Sequence, residues 1–80
     1  MAETIKIPVL LEKLPGEPVW TAEVPYVENC VSEGKNPELA LTSLMEAIAA
    51  LATVDPSIYD QLAKPPEYLI TQIEIPSNKL

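Results

Sequence analysis

The stretch "VPYVENCVSEGKNPELALTSLMEA", Val24 to Ala47, decides the fold. It runs from the end of a strand, through a Gly turn, into a well-capped helix. Asn36 is a good N-cap, because its short side chain can accept a hydrogen bond from a free N–H of the first turn. Pro37 at the first helical position gives up an N–H that has no partner there anyway. Glu38 lies against the positive end of the helix dipole. Leu41, Leu44, Ile48 and Leu51 follow at spacings of three, four and three, which makes one apolar stripe. Ala40 and Ala47 flank that stripe and would let the helix sit close on a sheet. The pattern predicts a main helix over about 37–53. Upstream, Gly34 offers a positive φ where the chain reverses into the helix.

Before this stretch, "TIKIPVLLE" (Thr4 to Glu12) alternates as a strand does, with Ile5, Ile7, Val9 and Leu11 on one face. Pro8 has no N–H for the ladder, so it belongs at an edge or irregularity. Pro15-Gly16 suits the two central positions of a tight turn. "VWTAEV" (Val19 to Val24) alternates again, placing Trp20, Ala22 and Val24 on one side, and Pro25 ends it. "NCVSE" (Asn29 to Glu33) reads as a short third strand.

After the stretch, Asp55 precedes Pro56 and is biased away from the α region, which stops the main helix near Thr53. The same pair can cap a short second helix over about 56–63, with Asp55 as N-cap and with Ile58 and Leu62 on one face. Lys64-Pro65-Pro66 closes it. "EYLITQIEI" (Glu67 to Ile75) predicts a final strand, with Leu69, Thr71, Ile73 and Ile75 on one face and Ile70, Gln72 and Glu74 on the other.

The order β-β-β-α-(short α)-β predicts an α+β, two-layer fold: a four-stranded mixed sheet under one covering main helix. A right-handed crossover would bring the last strand parallel to the first and beside it, in the order 3-2-1-4. Residues 1–76 form one domain in this reading, and 77–80 a loose C-terminal tail.

Eighty residues bury only about 60% of the unfolded chain's surface. One cysteine, Cys30, excludes an internal disulfide, and the absence of histidine excludes the commonest metal-binding clusters. Good packing or self-association must then supply stability, so a homodimer or higher homo-oligomer is expected. Twelve Asp and Glu against five Lys give a net charge of −7. That charge repels phosphate backbones and disfavours direct nucleic-acid binding, while suiting either solubility or a basic protein partner. The apolar run near the N-terminus is short and interrupted by Pro8, fitting neither a signal peptide nor a membrane span. With a single unpaired thiol, the cytoplasm is the expected compartment.

Catalytic readings find little to work with. No histidine can serve as base. Cys30 has no activating neighbour in sequence; Glu28 and Glu33 would raise its pKa, and a small apolar residue on a buried strand face explains it better. The carboxylates are spread through strands and turns without a spacing that selects a metal or an acid/base pair. Gly16 and Gly34 are too isolated to cradle a phosphate. Trp20 reads as core. The expectation is a module that binds protein, without catalysis, cofactor or metal. Its acidic rim, Glu28, Glu33 and Glu38, is the candidate contact surface, and an open sheet edge is a second.

The stretch "VWTAEVPYVENCVSEGKNPELALTSLMEAI" resembles the N-terminal domain of HicB-type antitoxins. Trp20, Ala22, Val24, Pro25, Val27, Cys30, Gly34, Ala40, Leu44, Glu46 and Ala47 stand at positions matching the family pattern, over about fifty residues if the preceding hairpin is included. Asn29 stands where the pattern has Gly, Glu28 where Pro is common, Leu39 where an acidic residue is usual, and Asn36 where Thr or Ser caps the helix. The resemblance implies a HicB-like domain: a partial RNase H-like β-β-β-α-β unit that forms dimers or tetramers. It also implies a partner, a small basic HicA-type mRNA interferase whose catalytic surface the antitoxin covers. Family members usually add a C-terminal DNA-binding domain. No such pattern follows Ile75, so DNA binding is not expected of this chain. The alternative expectation is a small oligomeric protein of the same fold with a different partner or a structural role. An enzyme with residual RNase H-like metal chemistry is the reading that the residues favour least.

Overall fold

Pro15 and Gly16 turn the first strand back onto the second. The Glu17 N–H donates to the Leu14 carbonyl (3.1 Å), and Gly16 takes a φ of 82°. Pro at the second position and a positive-φ Gly at the third define a type II turn, the geometry their sequence predicts. The structure, a computed structural model, describes residues 4–79. Its elements are β1 (Leu10–Glu12), β2 (Trp20–Glu23), β3 (Val31–Gly34), α1 (Pro37–Val54) and α2 (Ile58–Leu62), with a 3-10 turn at Ser77–Lys79. Three strands make one antiparallel sheet in the order β1-β2-β3, and α1 packs across β2 and β3. The α+β, two-layer architecture is therefore present, with one main helix and one short one.

Register fixes the two faces of the sheet. Leu11, Ala22 and Ser32 lie opposite one another, as do Trp20 and Gly34. Ala22 is fully buried, so these residues face the helix. The core runs from Ala22, Val24, Val27 and Cys30 to Ala40, Leu44 and Ala52 of α1, and on to Ile58 and Leu62 of α2. Trp20, Leu41, Ile48 and Leu51 pack against it. No polar or charged residue is buried among the described residues.

Helix α1 begins as its sequence requires. Asn36 is extended (φ −143°, ψ 168°), and its side-chain oxygen accepts from the Leu39 N–H at 2.8 Å. The helix ends at Val54, where Asp55 leaves the helical region and its N–H still bonds the Leu51 carbonyl (2.9 Å). The Asp55 carboxylate then accepts from both the backbone N–H and the hydroxyl of Ser57. The α2 helix proper starts at Ile58 rather than at 56, because this turn intervenes.

Gly34 has a different role from the one its position suggests. It lies in β3, and among the described residues only Gly16 and Asn29 have positive φ. What Gly34 supplies is space: a Cβ there would stand 2.5 Å from the Ala40 nitrogen and 2.6 Å from the Leu39 carbonyl carbon. The left-handed residue is Asn29 (φ 63°), in the loop before β3. That loop is closed by the Val24 N–H on the Cys30 carbonyl (2.9 Å), so β3 begins at Val31 and not at Asn29.

The terminal segments differ most from expectation. Only Leu10–Glu12 of the first alternating run joins the ladder; Thr4–Val9, with Pro8 in their middle, do not. The expected fourth strand, Glu67–Ile75, takes no place in the sheet. It forms an arm, neither helix nor strand, in which every residue is exposed, including Leu69 at 88%, Ile70 at 83% and Ile73 at 85%. The Cα radius of gyration is 15.5 Å and the long dimension 53 Å. A compact 80-residue domain has a radius near ~12 Å, and a projecting arm accounts for the excess. Ser77–Lys79 of the expected loose tail turn in a 3-10 helix, and Leu80 lies outside the described residues.

Candidate functional site

Cross-strand register builds the surface that the helices leave open. Glu12, Thr21 and Glu33 form one row over the three strands, and Leu10, Glu23 and Val31 form the next. These residues alternate with Leu11, Ala22 and Ser32, so they project from the face opposite α1. Among the described residues no helix covers that face. Thr21 sits between the two outer carboxylates of its row, which stand about two strand spacings, or roughly 9.5 Å, apart. Glu23 occupies the middle of the other row. No two glutamates are directly opposed, an arrangement that avoids the cost of facing like charges on adjacent strands. The Thr21 hydroxyl donates to the Glu12 carbonyl (3.3 Å), and Glu17 from the β1–β2 connection joins Glu12 and Glu33 around a shallow depression of about 100 Å³.

Of the three expected contact residues, Glu33 belongs to this face. Glu28 does not: it is exposed in the β2–β3 loop, at the other end of β3, and lines a separate cleft of about 480 Å³. That cleft lies between the loop (Tyr26, Glu28, Asn29) and the α1–α2 junction (Asp55, Ile58, Gln61). Asp55 is already committed there to Ser57. Glu38 is exposed in the first turn of α1. The structure does not gather Glu28, Glu33 and Glu38 into one cleft. It groups Glu33 with Glu12 and Glu23, whose shared face becomes visible only when the strand register is known.

Tyr26 is a further residue whose position depends on the tertiary structure. Its hydroxyl donates to the Leu62 carbonyl at 2.7 Å, joining the β2–β3 loop to the end of α2. Its ring stands 6.4 Å from that of Tyr68, at a 36° tilt, and so also touches the base of the C-terminal arm. Burial, aided by Tyr68 and Cys30, pushes the Tyr26 hydroxyl above the ordinary phenol range. An X-Pro-Tyr turn gives no hint of a partner 36 residues away.

Cys30 is buried at 2% exposure, on the core side of the fold. Burial raises its thiol above the ordinary range, so the neutral form is favoured. The cause is desolvation, not the neighbouring glutamates expected from the sequence. A buried neutral thiol is a weak nucleophile. Among the described residues no three His, Cys, Asp or Glu side chains come together as a metal-binding group.

A third depression, an apolar groove of about 260 Å³, is lined by Pro8, Val9, Leu10, Pro25, Tyr68 and Ile70. It marks where the start of the arm passes the beginning of β1. Helix α1 is long and apolar enough by length and composition to cross a membrane, with a mean hydropathy of 1.3. Ala40, Leu44 and Ala52 of this helix are buried in the core. No protein-family model, curated protein or solved structure matches the chain.

Proposed function

We propose that this protein is a non-catalytic, HicB-like binding module that inhibits a small basic HicA-type mRNA interferase by covering its catalytic surface. The observation that carries this reading is the uncovered sheet face with Glu12, Glu23 and Glu33 on three adjacent strands. Staggered carboxylates on an open face, in a chain of net charge −7, complement a basic partner and speed its encounter. Glu28, in the β2–β3 loop, and Glu38, in the first turn of α1, are exposed apart from this face and serve as separate contacts. Two local features also support the family resemblance. Asn29 adopts the left-handed backbone (φ 63°) at the position where the family pattern has Gly. Asn is among the few residues that accept this conformation readily. Gly34 stands where the chain passes too close to α1 for any Cβ.

In this reading Glu67–Ile75 supplies the fourth strand beside β1, completing a partial RNase H-like β-β-β-α-β sheet in the order 3-2-1-4. The protein acts in the cytoplasm as a homo-oligomer, without cofactor or metal. Co-expression with a small basic toxin encoded beside it tests the function. A stable complex and rescued growth are the expected results; two proteins that do not associate would refute it. A second reading, a self-associating protein of the same fold with a structural role, draws on the apolar arm alone.

A further inference from the structure

Two unsatisfied features lie at the same end of the molecule. One is the arm. From Pro65 to Pro76 it forms neither helix nor strand, and no backbone hydrogen bond joins any part of it to the described body. Leu69, Thr71, Ile73 and Ile75 alternate with Ile70, Gln72 and Glu74, the pattern of a strand with one apolar face. Leu69 and Ile73, on that face, are 88% and 85% exposed. A strand of this kind is stable only when its ladder groups and apolar face are both covered.

The other feature is the free side of β1. β1 pairs with β2 alone, leaving an edge. Near the start of β1, Tyr68 and Ile70 at the base of the arm line an apolar groove together with Pro8, Val9, Leu10 and Pro25. Tyr68 and Ile70 line that groove while remaining 49% and 83% exposed, and the residues beyond Ile70 are exposed as well. Pro65 and Pro66 confine the residues before them to extended backbone and supply no N–H, which stiffens the exit from α2.

We propose that a second copy of this chain satisfies both features: the arm of each copy adds as a fourth strand to the β1 edge of the other. A two-fold axis completes both sheets at once, because each chain carries one donor strand and one acceptor edge. The exchange brings Leu69 and Ile73 against the second copy, pairs part of each arm with the three residues of β1 and removes the open β1 edges. The exchange keeps the order 3-2-1-4 but takes the fourth strand from the other copy, and the acidic rows on the outer sheet face remain available, so it does not depend on the antitoxin reading.

Light scattering on the full-length chain, with no partner present, should report twice the 8.7 kDa chain mass. The double substitution Leu69→Glu, Ile73→Glu should return the monomer mass with the helical circular dichroism unchanged, since neither side chain touches the core. Gln72→Glu, on the opposite face of the arm, should leave the dimer intact. In a sample mixing isotope-labelled and unlabelled chains, nuclear Overhauser contacts should join arm residues of one copy to Leu10–Glu12 of the other. A monomeric wild type, a dimer that survives the double substitution, or arm contacts confined within one chain would each overturn the proposal.

Discussion

The Tyr26 hydroxyl donates a 2.7 Å hydrogen bond to the carbonyl of Leu62, across 36 residues of sequence. One bond thereby holds the loop between β2 and β3 against the end of α2. The same ring meets Tyr68, where the chain leaves the body of the protein. Three segments that share no secondary structure converge on this single side chain.

Tyr26→Phe should cost about 1 kcal/mol of folding stability. The substitution keeps the ring and removes only the donor, leaving the Leu62 carbonyl to find water. Urea denaturation of the two proteins provides the comparison. An unchanged midpoint would mean that the bond adds nothing net to the folded state.

The two glycines should respond differently to alanine. At Gly34 the new Cβ would fall 2.5 Å from the backbone nitrogen of Ala40, and neither the strand nor the helix start can yield cheaply. Overpacking of this kind costs about 1–3 kcal/mol. At Gly16 nothing lies within 4 Å, so only the positive φ of 82° is paid. That penalty is roughly 1–2 kcal/mol. Thermal denaturation should rank Gly34→Ala as the more damaging. The reverse order would show that β3 and α1 can move apart.

Cys30 gives the fold a pH dependence in the alkaline range. Burial raises its pKa in the folded chain, so the folded state holds the thiol proton more tightly than the unfolded state does. The resulting stability is fully present below the ordinary thiol pKa and is lost as pH rises through the raised value. Urea midpoints should therefore fall from neutral to mildly alkaline pH, and fall less in Cys30→Ala. Parallel declines in both proteins would remove Cys30 as the cause. Tyr26 shifts in the same direction and adds its own loss at higher pH.

Charge reversal on the open sheet face should affect association and not folding. Glu12 and Glu33 are exposed, so Glu12→Lys with Glu33→Lys should leave the denaturation midpoint nearly unchanged. Binding of a basic HicA-type partner should slow by on the order of tenfold at low salt. The difference should shrink as salt screens the surface charges. Equal on-rates for both proteins would place the docking surface elsewhere, with Glu28 or Glu38 as the next residues to change.

Much of the local structure is legible in the residues themselves. Asn36-Pro37 set the start of α1, and Pro15-Gly16 set a type II turn, because each depends only on neighbouring backbone and a capping side chain. The stripe of Leu41, Leu44, Ile48 and Leu51 likewise gives the helix its buried side. Non-local contact decided the rest. Gly34 is needed for the nearness of α1, a distance that no local pattern encodes. Glu12, Glu23 and Glu33 share a face only through the register of three strands. The alternation of Glu67–Ile75 predicts a fourth strand, yet the segment lies outside the three-stranded sheet. Alternation carries no information about which edge accepts such a segment, or in which chain that edge lies. Ladder bonds need a second strand at the right distance, and where that strand sits is a property of the assembled fold.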